Sequence, residues 1–128
     1  MKPELMLLVW AVALTVVQML IAATGAFMQV GLPPLAGNRE TFPALTGWAG
    51  RAGRAHNNML ENLVLFAALV LVAALSNKTN SATLLGAQMF VWARAAYALV
   101  YLAGIPYLRT LLWFVSMIGL AVIFFQLV

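Results

Sequence analysis

Arg54, Asn58 and Glu61 fall at i, i+4 and i+7 in the stretch RAGRAHNNMLENLVLF, residues 51–66. In a helix that spacing puts all three side chains on one face, with Arg51 one turn earlier on the same side. A second set, Arg94, Tyr97 and Tyr101 in RAAYALVY, falls at i, i+3 and i+7 and again shares a face. Arg109 and Thr110 follow Pro106, where a further helix would begin. Several arginines set over tyrosines and amides suit an anionic polar ligand with more than one carboxylate or phosphate, because guanidinium binds carboxylate bidentately and keeps its charge in a low dielectric. Glu61 could receive a ligand ammonium, so a zwitterionic peptide with excess negative charge fits such a surface.

The elements that must carry these residues are membrane spans. The chain has 128 residues, the size of one domain, and is 65% hydrophobic and 8% charged, with a mean hydropathy of +0.99. Soluble domains hold roughly 45 to 50% apolar and about 25% charged residues. Four apolar runs read as helices over about 5–28, 48–75, 82–103 and 108–128, each near the roughly 20 residues a span needs. The first is too long for a signal peptide and follows Pro3 and Glu4 in place of a basic start. Between the first two, GLPPLAGNRETFPALTG, residues 31–47, carries three prolines, three glycines, Arg39 and Glu40, and reads as an irregular loop. SNKTNS, residues 76–81, forces an antiparallel hairpin, and GIPY, residues 104–107, breaks the chain again. The expected fold is an all-α, up-and-down, antiparallel four-helix membrane bundle, a single domain over 1–128.

Basic residues near the helix ends set its orientation. Arg39, Arg51, Arg54 and Arg109 lie on one side, and Lys2 and Lys78 on the other. By the positive-inside rule the arginine-rich side is cytoplasmic and both termini lie outside. Glu61 stands about 21 Å from the far end of its helix at Leu75, inside a hydrocarbon core roughly 30 Å thick. An ionised residue at that depth costs about 2.5 to 3.5 kcal/mol, while each Leu, Val or Phe returns roughly 0.3 to 0.6. The stripe must therefore face protein or water. Arg94 lies at a similar depth on the third span and is the candidate partner of Glu61, and the two stripes are expected to face a common cavity with Arg109 and Thr110 at its cytoplasmic rim. Structural pairing of Glu61 with Arg94 stands beside ligand binding as an equal reading, since interhelical hydrogen bonds alone hold bundles together in lipid. Arg51, Arg54 and Arg109 could each snorkel to the interface, although that leaves their clustering with tyrosines and asparagines unexplained.

Other features point to structure. Seven basic residues spread along an apolar chain make no stripe for nucleic acid. Without cysteine there is no disulfide, thiolate metal site or cysteine nucleophile. His56 has no second ligand at metal spacing, so a hydrogen bond or an interfacial position accounts for it, and no metal is expected. Gln18 is expected to bond helix to helix. Trp10, Trp48, Trp92, Trp113 and Tyr107 read as packing or interfacial anchors, and the seven methionines as core filler.

RAGRAHNNMLEN taken with RAAYALVY and PYLRT resembles the MAPEG family, the membrane-associated proteins in eicosanoid and glutathione metabolism, over almost the whole chain. The resemblance implies a homotrimer of four-helix subunits that binds glutathione between neighbouring subunits near the cytoplasmic side. It implies glutathione contacts by Arg54, Asn58 and Glu61, with Arg51 and His56 as neighbours. Arg94, Tyr97 and Tyr101 match third-helix positions that hold or border the tripeptide. Arg109 matches an arginine that stabilises the glutathione thiolate, and Thr110 takes the place of a nearby hydroxyl residue. The implied activity is a glutathione-dependent transferase or peroxidase acting on hydrophobic electrophiles dissolved in the bilayer. The minimal length suggests a bacterial-type member of an inner membrane. The first rival is a non-catalytic trimer that binds another anion or a lipid headgroup in the same cavity. A small transporter ranks third, because its path should be polar through the full thickness and the outer halves of these helices carry almost no charge.

Overall fold

The computed structural model describes residues 1–37 and 43–128. Four long helices cross back and forth: α1 Pro3–Val30, α3 Gly47–Leu75, α4 Ser81–Ala103 and α5 Pro106–Leu127. Each is long and apolar enough to span a membrane, and no strand occurs among the described residues. One element differs from expectation. The loop after α1 contains a short helix, α2 Leu32–Ala36, with Pro33 and Pro34 in its first turn. Proline lacks the N–H that a first turn leaves unbonded, so the two prolines start this helix instead of breaking it. Arg39 and Glu40 lie outside the described residues.

Chain reversals follow local chemistry. Gly31 and Gly104 adopt φ of 76° and 83° beyond the ends of α1 and α4, a region that favours glycine. Asn80 caps α4 reciprocally with Thr83: the Thr83 amide donates to Asn80 Oδ1 at 2.9 Å, and the Asn80 amide to Thr83 Oγ1 at 2.8 Å. Pro106 opens α5. The Gln29 side chain clasps Thr46, donating to its carbonyl at 2.7 Å and accepting from its amide at 3.0 Å, so the two ends of the first loop are tied together.

Packing pairs α1 with α3 and α4 with α5. Along the second seam Gly86 and Gly119 meet: a Cβ on either would lie 2.6 Å from the other's carbonyl oxygen. Small residues of this kind let helices approach closely where lipid supplies no hydrophobic drive. Phe66 and Phe90 stack at the centre, 4.2 Å between ring centroids, with Met59, Val70, Ala87 and Ile123 around them. Outside, large apolar side chains such as Val9, Val16, Leu65, Leu99 and Phe125 are exposed along the spans, the reverse of a soluble surface.

Both termini and the α3–α4 turn gather at one end. Lys2 Nζ donates to the Ala74 carbonyl and to Asn77 Oδ1, both at 3.3 Å. Lys78 Nζ donates to the Leu127 carbonyl at 3.2 Å, and Asn80 Nδ2 to Gln126 Oε1 at 3.0 Å. Beneath them Glu4, only 3% exposed, accepts from Thr83 Oγ1 at 2.8 Å. Glu4 thus places a buried carboxyl group in a region expected to be almost free of charge.

Candidate functional site

At the other end α3, α4 and α5 bring the two stripes together. Arg94 is 1% exposed, and its Nη2 donates to Asn58 Oδ1 at 2.6 Å. Its guanidinium carbon stands 4.2 Å above the Tyr97 ring. Tyr97 meets Tyr101 edge to face at 5.5 Å between centroids. The Tyr101 ring lies 4.4 Å under the Arg109 guanidinium, and its hydroxyl accepts from Arg54 Nε at 3.2 Å. Three guanidinium groups from three helices are thereby organised on two adjoining rings, a packing that aromatic quadrupoles favour. Asn58, Tyr97, Arg109 and Thr110 line one cavity of about 170 Å³ together with Trp113.

Two residues here did not stand out in the sequence. Trp113 reads there as an anchor, yet it lies four residues after Arg109, one helical turn on, which places it on the same wall. Asn62 is buried and donates through Nδ2 to the Asn58 carbonyl at 2.8 Å and to Asn58 Oδ1 at 3.1 Å. Asn58 Oδ1 therefore accepts from both Asn62 and Arg94, which fixes which end of the Asn58 amide faces Arg94. The i, i+4 spacing of the two asparagines was the available signal.

Other expected residues stand elsewhere. Arg94 bonds Asn58, while Glu61 is exposed on the single chain, so the expected Glu61–Arg94 pair is not formed. Counting rise per residue gives depth but not direction, and Asn58 lies one turn nearer the arginine end than Glu61. Arg51 turns toward the end of α4, where its Nε donates to the Leu102 carbonyl at 3.0 Å. His56 is half-buried, with Nδ1 enclosed and lacking a hydrogen-bond partner. The Thr110 hydroxyl donates back to the Pro106 carbonyl at 3.3 Å, leaving its oxygen as an acceptor. Gln18 does not make the expected bond between helices: its Oε1 is buried and lacks a partner.

The arrangement also holds unused donors. Arg94 Nε and Nη1 are buried with no hydrogen-bond partner. Buried polar groups are nearly always satisfied, and an orphaned charged donor is costly. Such a guanidinium is suited to an incoming oxygen acceptor.

The model of the MAPEG family matches residues 5–128, nearly the whole chain. No curated protein and no solved structure matches.

Proposed function

The chain belongs to the MAPEG family, and on that premise we propose that it is a membrane-embedded glutathione-dependent transferase or peroxidase that activates the glutathione thiol for attack on hydrophobic electrophiles. The observation that carries this reading is the cluster of Arg54, Arg94 and Arg109 on the Tyr97–Tyr101 pair, with two Arg94 donors lacking a protein partner. In this reading Arg94 and Asn58 hold a carboxylate of the tripeptide at the buried end. Arg54 and Tyr101 border it nearer the membrane surface, with Arg51 and His56 as flanking residues.

Arg109 is assigned to the sulfur. A free thiol has a pKa near 8.5, and a guanidinium within hydrogen-bonding distance lowers it, populating the thiolate nucleophile at neutral pH. In this reading the Thr110 oxygen accepts a hydrogen bond from the thiol before ionisation, and the thiol proton leaves to water at the membrane surface. The thiolate then forms a carbon–sulfur bond with the electrophile as its leaving group departs with the electron pair. With a hydroperoxide the thiolate takes the terminal oxygen, the alkoxide leaves and is protonated, and a second glutathione converts the sulfenic acid to disulfide and water.

Glu61 supports an assembly of copies. Its carboxyl lies in a span and is exposed on the single chain, where lipid contact would cost about 2.5 to 3.5 kcal/mol. A neighbouring copy in a homotrimer, bringing Glu61 toward a ligand ammonium, removes that cost. The deciding experiment is a glutathione titration of the detergent-purified protein followed by ultraviolet thiolate absorbance, repeated on Arg109→Ala. Saturable thiolate formation that disappears in the variant is expected. Absence of binding at millimolar glutathione would overturn the reading.

A further inference from the structure

A second feature lies on a different face of α4. Two cavities, of about 220 and 490 Å³, both touch Leu14, Val17 and Ala95, so they form one furrow along the seam between α1 and α4. Trp10 and Trp92 flank one end, and Ala52 and Leu102 the other. Its wall is apolar except for Gln18, a side chain 7% exposed whose Oε1 has no hydrogen-bond partner.

Heights along the furrow follow from the Glu4–Thr83 bond, which sets the register of α1 and α4, two helices running the same way. Gln18 is fourteen residues beyond Glu4, and Leu102 nineteen beyond Thr83. Gln18 therefore sits five residues, roughly 7 to 8 Å, below Leu102. At the level of Leu102 stands Arg51, whose Nε bonds that carbonyl. On α3, at 100° per residue, Arg51 lies 40° from Ala55 and 100° from Ala52, both furrow residues. From Gln18 to Leu7, at the far end, is eleven residues or about 16 Å, close to half of a hydrocarbon core roughly 30 Å thick. The furrow thus has a cation beside its head, bonded to the Leu102 carbonyl, one amide a glycerol's length below, and an apolar channel one leaflet deep.

We infer that this furrow is a binding site for an anionic phospholipid, with the phosphate at Arg51, the glycerol ester region at Gln18 and one acyl chain lying between α1 and α4 toward Trp10 and Trp92. The glycerol bridge separates phosphate from acyl ester by about the drop from Arg51 to Gln18. The Gln18 amide donates through Nε2 to an ester carbonyl of the lipid. The furrow face carries none of Arg94, Tyr97 or Tyr101, and the two sites share only Arg51, which flanks the glutathione site in the reading above.

Native mass spectrometry of the whole protein, released from mixed micelles of equal phosphatidylglycerol and phosphatidylcholine, tests this. One retained phosphatidylglycerol per chain is expected, at a preference of about fivefold, which is what roughly 1 kcal/mol for one arginine against an anionic headgroup converts to. Arg51→Gln should abolish the headgroup preference, Ala98→Phe should reduce retention of both lipids, and Gln18→Leu provides a further variant of unchanged apolar packing. Glutathione binding by Ala98→Phe should be unaltered, which separates this site from the thiol site. Equal retention of the two lipids by the unsubstituted protein, a headgroup preference kept by Arg51→Gln, or retention unaltered in Ala98→Phe would overturn the inference. So would disulfide cross-linking between copies of Ala98→Cys, clean in a chain without cysteine, because it would seat a second copy in the furrow.

Discussion

The two ends of the bundle handle polar groups in opposite ways. At the termini end Glu4, Lys2, Lys78 and Asn80 each bond another helix or the turn beside it. At the arginine end Arg94 leaves two donors without a partner, His56 leaves Nδ1, and Glu61 is exposed on a span. Both ends place ionisable groups on membrane helices, where burial without compensation is expensive. The difference separates polar groups that fasten a bundle from polar groups that await something else. Fastening is complete within one chain, and a site is complete only with its ligand or its neighbour.

Substitutions can break that contrast or sharpen it. The largest effect is expected at Arg109: alanine should lower single-turnover thioether formation by about 10² to 10³, the range for removing one preorganised donor to a developing or stabilised anion, with the melting temperature in detergent retained. Arg94→Leu should weaken glutathione binding by about 10- to 100-fold, the loss of a hydrogen bond to a charged group, yet leave the melting temperature level or raised, because an apolar residue relieves the buried guanidinium. A clear fall in melting temperature would return Arg94 to a fastening role. Glu4→Ala should do the opposite, costing about 1.5 to 3 kcal/mol of stability through loss of the Thr83 hydrogen bond to a carboxylate, while glutathione titrates as before. Asn62→Leu is the mildest: releasing Asn58 should cost about 1 kcal/mol and weaken glutathione binding about fivefold, seen by calorimetry. If Glu4→Ala abolished binding and Arg94→Leu only destabilised, the two ends would have to exchange roles.

How legible this was depended on the range of the interaction. Spans, turns and stripes are local, so the apolar runs, SNKTNS, GIPY and the i, i+4, i+7 spacing of Arg54, Asn58 and Glu61 placed the four long helices and gathered most of the arginine cluster. Depth was legible too, since it needs only a rise per residue. Azimuth was not: whether Arg94 meets Asn58 or Glu61 depends on how α3 and α4 rotate about their axes, which packing across their seam, the Phe66–Phe90 stack included, decides. The Glu4–Thr83 bond joins residues 79 apart, and nothing near Glu4 signals a partner. Trp113 was hidden for another reason, because a tryptophan on a span serves equally well at a membrane interface and on a cavity wall.

The Gly86–Gly119 contact bears on how well the site holds its aim. Where two backbones touch with no room for a methyl group, one helix can neither slide past the other nor roll without collision. Gly119 lies ten residues from Arg109, about 15 Å along α5, so the arginine's position over Tyr101 is indexed from a distance, like a key seated in a shaft. That index contains no charge and no titratable atom. Changes of salt or acidity that loosen the polar ends should therefore leave the alignment of α4 and α5 in place, and a single added methyl group at either glycine should disturb the arginine cluster without touching it.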